Sequence, residues 1–147
     1  MRASTISLKT EQDIEKLRIS GRLAAEVLAM IGEHVKPGVT TEYLDDICND
    51  FIVNKLQVIP ANVGYYGYTK TTCISPNEVV CHGIPSATTV LKDGDIINID
   101  VAIIKDGYFG DTSRMYYVGT PSAEAKKLVE TTYEAMVAGI HAVKPGA

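Results

Sequence analysis

Three cysteines in 147 residues, Cys48, Cys73 and Cys81, make an odd set with no Cys-x-x-Cys spacing. That excludes a disulfide framework and a zinc finger, and the thiols are expected reduced, as in a cytoplasmic protein. No Asn-x-Ser/Thr sequon occurs. No apolar run approaches the roughly 20 residues that span a bilayer, so no membrane partner is expected. Met1 to Arg18 is polar and of mixed charge, without the apolar segment and small-residue cleavage site of a signal peptide. Lys and Arg form no cluster and the net charge is -4, which argues against nucleic acid and anionic membranes as partners. No Gly-Lys-Ser/Thr phosphate loop follows the Gly-rich stretch, and no Ser/His/Asp or Cys/His signature marks a nucleophile.

Against these absences stands an ordinary globular composition, 46% apolar and 22% charged, in a chain the size of one domain. Thr10 to Val35 is expected as a helix opened by a Thr10/Asp13 capping box, with Ile14, Leu17, Ala24, Leu28, Ile31 and Val35 on one stripe. Pro37-Gly38 ends it. Thr40 or Thr41 caps a second helix whose face carries Leu44, Ile47, Cys48 and Phe51. A Gly/Tyr/Thr-rich loop follows Pro60, then short strands at Cys73 to Ser75, Val79 to Cys81 and Ile96 to Ile104. Lys105-Asp106-Gly107 is a hairpin turn and Tyr108 to Val118 the returning strand. A last helix covers about Ala123 to Val143.

The hairpin carries the chemistry. Asp100 and Asp111 each interrupt a β-prone segment where a carboxylate is disfavoured and costly to bury alone. A two-residue turn at Asp106-Gly107 makes Lys105 face Tyr108 and Ala102 face Asp111. Asp100 then shares the face of Asp111, diagonally about 7–8 Å away at the backbone. Two bare carboxylates so close repel, and a shared cation removes the cost; such oxygen donors suit two divalent metals about 3.5–4 Å apart. Two solvated aspartates on an exposed face remain the alternative. Gly110 and Asn98 fit a crowded site.

His82, after the apolar run Val79-Val80-Cys81 and before Gly83, sits where a strand would end at a pocket rim, a natural place for a proton shuttle or hydrogen-bond donor. Cys81 is read as a buried small hydrophobe, and His34 and His141 as cations near helix C-termini. Gly64-Tyr65-Tyr66-Gly67-Tyr68 either lines an apolar pocket or packs the loop onto the domain. Glu26 and Val35-Lys36-Pro37-Gly38 recur 108 residues later as Glu134 and Val143-Lys144-Pro145-Gly146, which is either a duplicated half-domain or two instances of a common helix stop.

Taken together these segments resemble the type I methionine aminopeptidases. The resemblance runs through Val35-Lys36-Pro37-Gly38, Gly64 to Tyr68, Asn77 to Pro85 with its Cys-His-Gly-Ile-Pro, Leu91 to Val101 with its Asn-Ile-Asp-Val, and Asp106 to Ser113. It implies an α/β (α+β) pita-bread fold of two pseudo-symmetric halves, an antiparallel β-hairpin sheet covered by helices, with residues 1–147 as the N-terminal half. It implies removal of initiator methionine from nascent peptides by two divalent ions, Fe2+, Mn2+, Co2+ or Zn2+, held by two Asp, one His and two Glu. Asp100 and Asp111 match the two Asp, and His82 matches the histidine that contacts substrate and stabilises the transition state. Tyr65 and Cys73 match positions lining the methionine side-chain pocket. The family's His and both Glu have no match here, so the chain alone is expected inactive unless a missing C-terminal half completes the site; a homodimer is the other expected partner, and it would duplicate the Asp half without adding His or Glu ligands. A non-catalytic peptide- or partner-binding half is the competing expectation. Thr69, Pro76 and Ala102 depart from the family pattern, the last beside a metal ligand.

Overall fold

The computed structural model describes residues 6–147. Met1 to Thr5, part of the segment read as lacking a signal peptide, lie outside the described residues. No helix among those described is long and apolar enough to cross a membrane.

Helix α1 spans Glu11–Ile31 and opens on the expected capping box: the Asp13 N–H donates to Thr10 Oγ1 at 3.2 Å, and the Thr10 N–H donates to Asp13 Oδ2 at 2.8 Å. Helix α2 spans Thr41–Asp50, capped by Thr40, and runs on as a wider turn over Phe51–Lys55. Four strands form one antiparallel sheet: β1 Ile59–Pro60, β2 Thr72–Pro76, β3 Ile96–Lys105 and β4 Tyr108–Tyr117. Strand β4 pairs with one edge of β3 along its whole length, while β1 and β2 share the other edge. Helix α3, Ala123–Ala142, closes the chain.

Alternation on β3 divides the molecule. Ile97, Ile99, Val101 and Ile103 are fully buried and join Ala24, Val27 and Ile31 of α1 and Leu44 and Cys48 of α2 in the core. The opposite face carries Asn98, Asp100, Ala102 and Ile104, none of them fully buried. A strand two-faced in this way expects a helix layer on one side only.

Close packing of that layer explains Gly110. A Cβ there would stand 2.2 Å from Ser20 O, so α1 seats directly on β4, and Ser20 Oγ donates to Tyr108 O at 3.0 Å. The crowding read from Gly110 is therefore with α1, on the core side, and not with a ligand.

Three further expectations fail. Val79 to Cys81 forms no strand; Asn77 turns the chain with φ 48°, and Val80 is 93% exposed. Strand β2 has its ladder with β3 on one edge, and on its other edge, outside the turn at Asn77, the one backbone partner among the described residues is Gly83, whose carbonyl accepts from the Ile74 N–H at 2.9 Å. Cys81 is exposed, not a buried hydrophobe. At the start of α1, Ile14 is also exposed and stands off the stripe that buries Ala24, Leu28 and Ile31.

The two instances of the motif share a backbone shape, as a common helix stop also gives. Val35 and Val143 each follow a helical segment with extended torsions (φ -74°, ψ 100° and φ -70°, ψ 116°), and Gly38 and Gly146 are both left-handed, φ 90° and 81°. The tertiary settings differ: α1 packs on β3 and β4, whereas α3 buries none of its residues.

Candidate active site

The hairpin register places the two aspartates as expected. Lys105 pairs with Tyr108, Ala102 with Asp111, and Asp100 with Ser113, so Asp100 and Asp111 lie on the polar face one diagonal step apart. Asp100 is half-buried and Asp111 exposed. Burial first, then the charge of Asp111, lifts the Asp100 carboxyl above its usual range, and His82 acts in the opposite sense. Asn98, on the same face, donates from Nδ2 to Ser113 Oγ at 3.3 Å.

On its other edge, β3 brings a pocket to these carboxylates. Cys73 of β2 is the register partner of Asp100. Between β1 and β2 the chain leaves the sheet for residues 61–71, and it leaves at the level of Ala102, whose carbonyl accepts from the Ala61 N–H at 2.9 Å. That excursion is the tyrosine loop. With Cys73 and His82 it walls an open pocket of about 440 Å³ lined by Asn62, Tyr65, Tyr66, Gly67 and Tyr68. All three expected substrate-contacting residues, Tyr65, Cys73 and His82, thus meet in one concavity. Tyr65 and Tyr66 line it while 69% and 94% exposed, whereas Tyr68 is half-buried and ties the loop to β2, its hydroxyl donating to Thr72 O at 2.8 Å.

His82 is held from behind. It takes a left-handed conformation, φ 54°, and Gly83 follows it tight against β2, where any Cβ would stand 2.2 Å from Ile74 O. The Gly83 N–H also donates to Ser75 Oγ at 3.0 Å. The histidine reaches the rim from a loop, not from a strand end.

Two residues of this region carry little signal in the sequence. Asn62 closes the loop, its Nδ2 donating to Thr71 O at 3.0 Å. Asp45 is 3% exposed on α2 and accepts from the Thr71 N–H at 3.1 Å, the Thr72 N–H at 2.7 Å and Thr72 Oγ1 at 2.7 Å, fixing the start of β2 just before Cys73. A carboxylate flanked by Leu44 and Cys48 on the apolar face of α2 was the available sign of Asp45; Asn62 had none. Cys48 beside it is inert, pushed up to about 12 by burial and by the Asp45 charge.

Donor chemistry fits divalent cations in part. Asp100 and Asp111 offer hard oxygen ligands, and their mutual repulsion is what a cation would relieve. No cluster of three or more His, Cys, Asp or Glu side chains that could hold a metal occurs among the described residues.

Comparison with known proteins gives the family and the fold. The model of metallopeptidase family M24 matches residues 15–147. The methionine aminopeptidase of Salmonella typhimurium is 59% identical over 141 residues, covering 96% of this chain and 53% of that protein. That of Escherichia coli K12 is 57% identical over the same length. The crystal structure of methionine aminopeptidase from Rickettsia prowazekii superposes with a TM-score of 0.94 at 52% identity, covering 97% of this chain and 57% of that one. The mixed helix and antiparallel-sheet fold is that of the pita-bread methionine aminopeptidases. The chain spans about half the length of the curated relatives it matches.

Proposed function

Because the chain belongs to metallopeptidase family M24, we propose that it forms the two-aspartate part of a methionine aminopeptidase that removes N-terminal methionine from nascent chains in the cytoplasm. One observation carries the proposal: Asp100 and Asp111 share a face of the hairpin, and Cys73, a wall of the tyrosine pocket, is Asp100's partner in register.

In this reading Asp100 and Asp111 would hold two divalent ions, Fe2+, Mn2+, Co2+ or Zn2+. When bound, such a pair supplies Lewis-acid chemistry and lowers the pKa of water. Tyr65 and Cys73 take the methionine side chain, so the first peptide bond lies toward β3 and the aspartates. His82 at the rim donates a hydrogen bond to the substrate as negative charge develops on its carbonyl oxygen. The left-handed backbone and the Gly83 contact aim the imidazole before substrate arrives, and such preorganisation is what makes a donor effective.

Two aspartates do not complete a dinuclear site, and the remaining ligands have to come from elsewhere, from the other half of the relatives' length or from a partner chain. A second reading follows from the same shortage: a peptide- or partner-binding half without hydrolysis, favoured by the lack of a three-ligand cluster among the described residues. Retention of both aspartates on one face weighs against it.

Methionine release from a Met-Gly-containing tripeptide, without oxygen and with added Fe2+ or Mn2+, separates the readings. Release that Asp111→Asn abolishes supports catalysis, with a second chain completing the site. Metal-independent peptide binding without release supports the binding half. Absence of release is what a half lacking the remaining ligands predicts, absence of peptide binding removes the binding half, and release that survives Asp111→Asn removes the aspartate-pair reading.

A further inference from the structure

His82 stands in left-handed backbone, φ 54°, a conformation that a Cβ disfavours. Its own groups do nothing to keep it there. Among the described residues no hydrogen bond involves the backbone or side chain of Val80, Cys81 or His82, and His82 is exposed. The conformation is therefore imposed from the ends of the loop 77–83.

The two ends are anchored differently. At the entry Asn77 extends the β2–β3 ladder: its N–H donates to Ile96 O at 2.9 Å, its Oδ1 accepts from the Ile96 N–H at 3.1 Å, and its Nδ2 donates to Asp95 Oδ1 at 2.9 Å. The Val79 N–H then donates back to Pro76 O at 3.0 Å. These bonds stop short of His82 and cannot set its torsions. At the exit β2 takes both polar groups of Gly83, its carbonyl through the Ile74 N–H at 2.9 Å and its N–H through Ser75 Oγ at 3.0 Å. The carbonyl lies on the far side of Gly83 and directs the chain onward. The Gly83 N–H belongs to the planar peptide that also contains the His82 carbonyl. Fixing that N–H fixes the plane, and with it ψ of His82.

Ser75 is well placed for this. Its register with Asn98 puts it on the polar face of the sheet, two residues after Cys73, the partner of Asp100. It is 4% exposed, and Gly83 packs onto it so closely that a Cβ there would stand 3.0 Å from Ser75 Cα. A hydroxyl on this face draws the His82–Gly83 peptide to the side of Asp100, the carboxylate on which His82 acts. Alanine at this position would fill the same space without an acceptor, leaving the peptide free to turn to either side of the β2 edge.

We propose that Ser75 is a positioning residue for His82: its buried hydroxyl accepts from the His82–Gly83 peptide and holds the imidazole at the pocket rim, on the face that carries Asp100 and Asp111. This deepens the reading of His82 as the hydrogen-bond donor to substrate and rests on it.

The test uses the full chain as wild type, as Ser75→Ala, and as Ser75→Thr, which keeps the hydroxyl. NMR reads the exchange of the Gly83 amide with solvent, the backbone signature of left-handed His82, and the shift of the His82 ring signals when methionyl-alanyl-serine is added. In Ser75→Ala the Gly83 amide should exchange roughly tenfold faster. The left-handed signature should disappear and the ring signals should stop responding, while the Cys73 signals still respond to the peptide. Ser75→Thr should match the wild type throughout. A purely structural serine would lower the melting temperature without singling out His82. An Ala variant that keeps the left-handed signature therefore overturns the assignment, as does a Thr variant that loses it. If Ser75→Ala unfolds, the same signals are read in Ser75→Cys, whose thiol is a weaker acceptor in the same place, and an unaltered His82 there overturns the assignment equally. Wild-type ring signals that ignore the peptide would overturn the donor reading alone, and the backbone comparison would still decide Ser75.

Discussion

Asp100 and Asp111 stand one diagonal step apart on a single face of the β3–β4 ladder, Asp111 opposite Ala102 and Asp100 two residues back from it. Like charges so placed cost stability unless a cation intervenes, so removing one charge should help the metal-free fold and harm metal binding. Asp111→Asn is expected to raise metal-free stability by about 0.2–1 kcal/mol and to weaken Mn2+ binding at least tenfold. Urea denaturation and calorimetric titration with Mn2+ read the two effects. A variant that loses stability and still binds Mn2+ as well as the wild type would remove the aspartate pair as a cation site.

Gly110 admits the backbone of α1 at Ser20. Gly110→Ala forces a methyl into space occupied by Ser20 O, and α1 must lift from β4. The expected loss is about 3 kcal/mol, at the upper end of overpacking costs, measured by denaturant midpoint. Gly67→Ala, where no neighbour lies within 4 Å and only backbone strain enters, should cost about 1 kcal/mol.

Asp45 is buried against the donors of Thr71 and Thr72. Asp45→Ala strands those donors in the interior and should cost about 2–4 kcal/mol, Asp45→Asn less, because one carbonyl oxygen still accepts. Since Thr72 precedes Cys73, the Ala variant should also broaden the NMR signals of the tyrosine loop. Sharp, unshifted loop signals would confine Asp45 to stability alone.

Acid sensitivity has an identifiable source in Asp13. The Tyr108 hydroxyl, the Thr10 hydroxyl and the Thr10 N–H all donate to its carboxylate and hold it down to about 2 from the usual 3.8. A depressed folded-state value means stabilisation that is complete above the unfolded value and is lost as pH falls through the folded one. The Asp13 contribution should therefore be constant near neutrality and disappear between about pH 4 and about pH 2. Tyr108→Phe removes the largest of the three donors, so its melting temperature should fall less steeply over that window. Parallel wild-type and variant curves would refute the attribution.

Strictly local patterns were readable along the chain. The Thr10/Asp13 capping box, the Asp106-Gly107 turn and the register that follows from it depend on neighbours a few residues apart, and each stands where the residues put it. From that register came the shared face of Asp100 and Asp111. Other features depended on partners the local pattern does not name. Val79-Val80-Cys81 is apolar and β-prone, yet outside the Asn77 turn the outer edge of β2 takes its one backbone bond among the described residues from Gly83, and the segment stays in solvent. Gly110 looked like part of a ligand site and instead meets a helix 90 residues earlier in the chain, at Ser20.

What the sequence determined by itself was the shared face of Asp100 and Asp111 and the two-faced character of β3, because alternation and turn chemistry are properties of adjacent residues. Only the tertiary structure decided that Tyr65, Cys73 and His82 share one pocket and that this pocket opens beside Asp100. That meeting depends on β1 and β2 sharing an edge of β3 with the tyrosine loop expelled between them at Ala102. Strand order is settled by which edges compete for backbone hydrogen bonds, and no single segment contains that information.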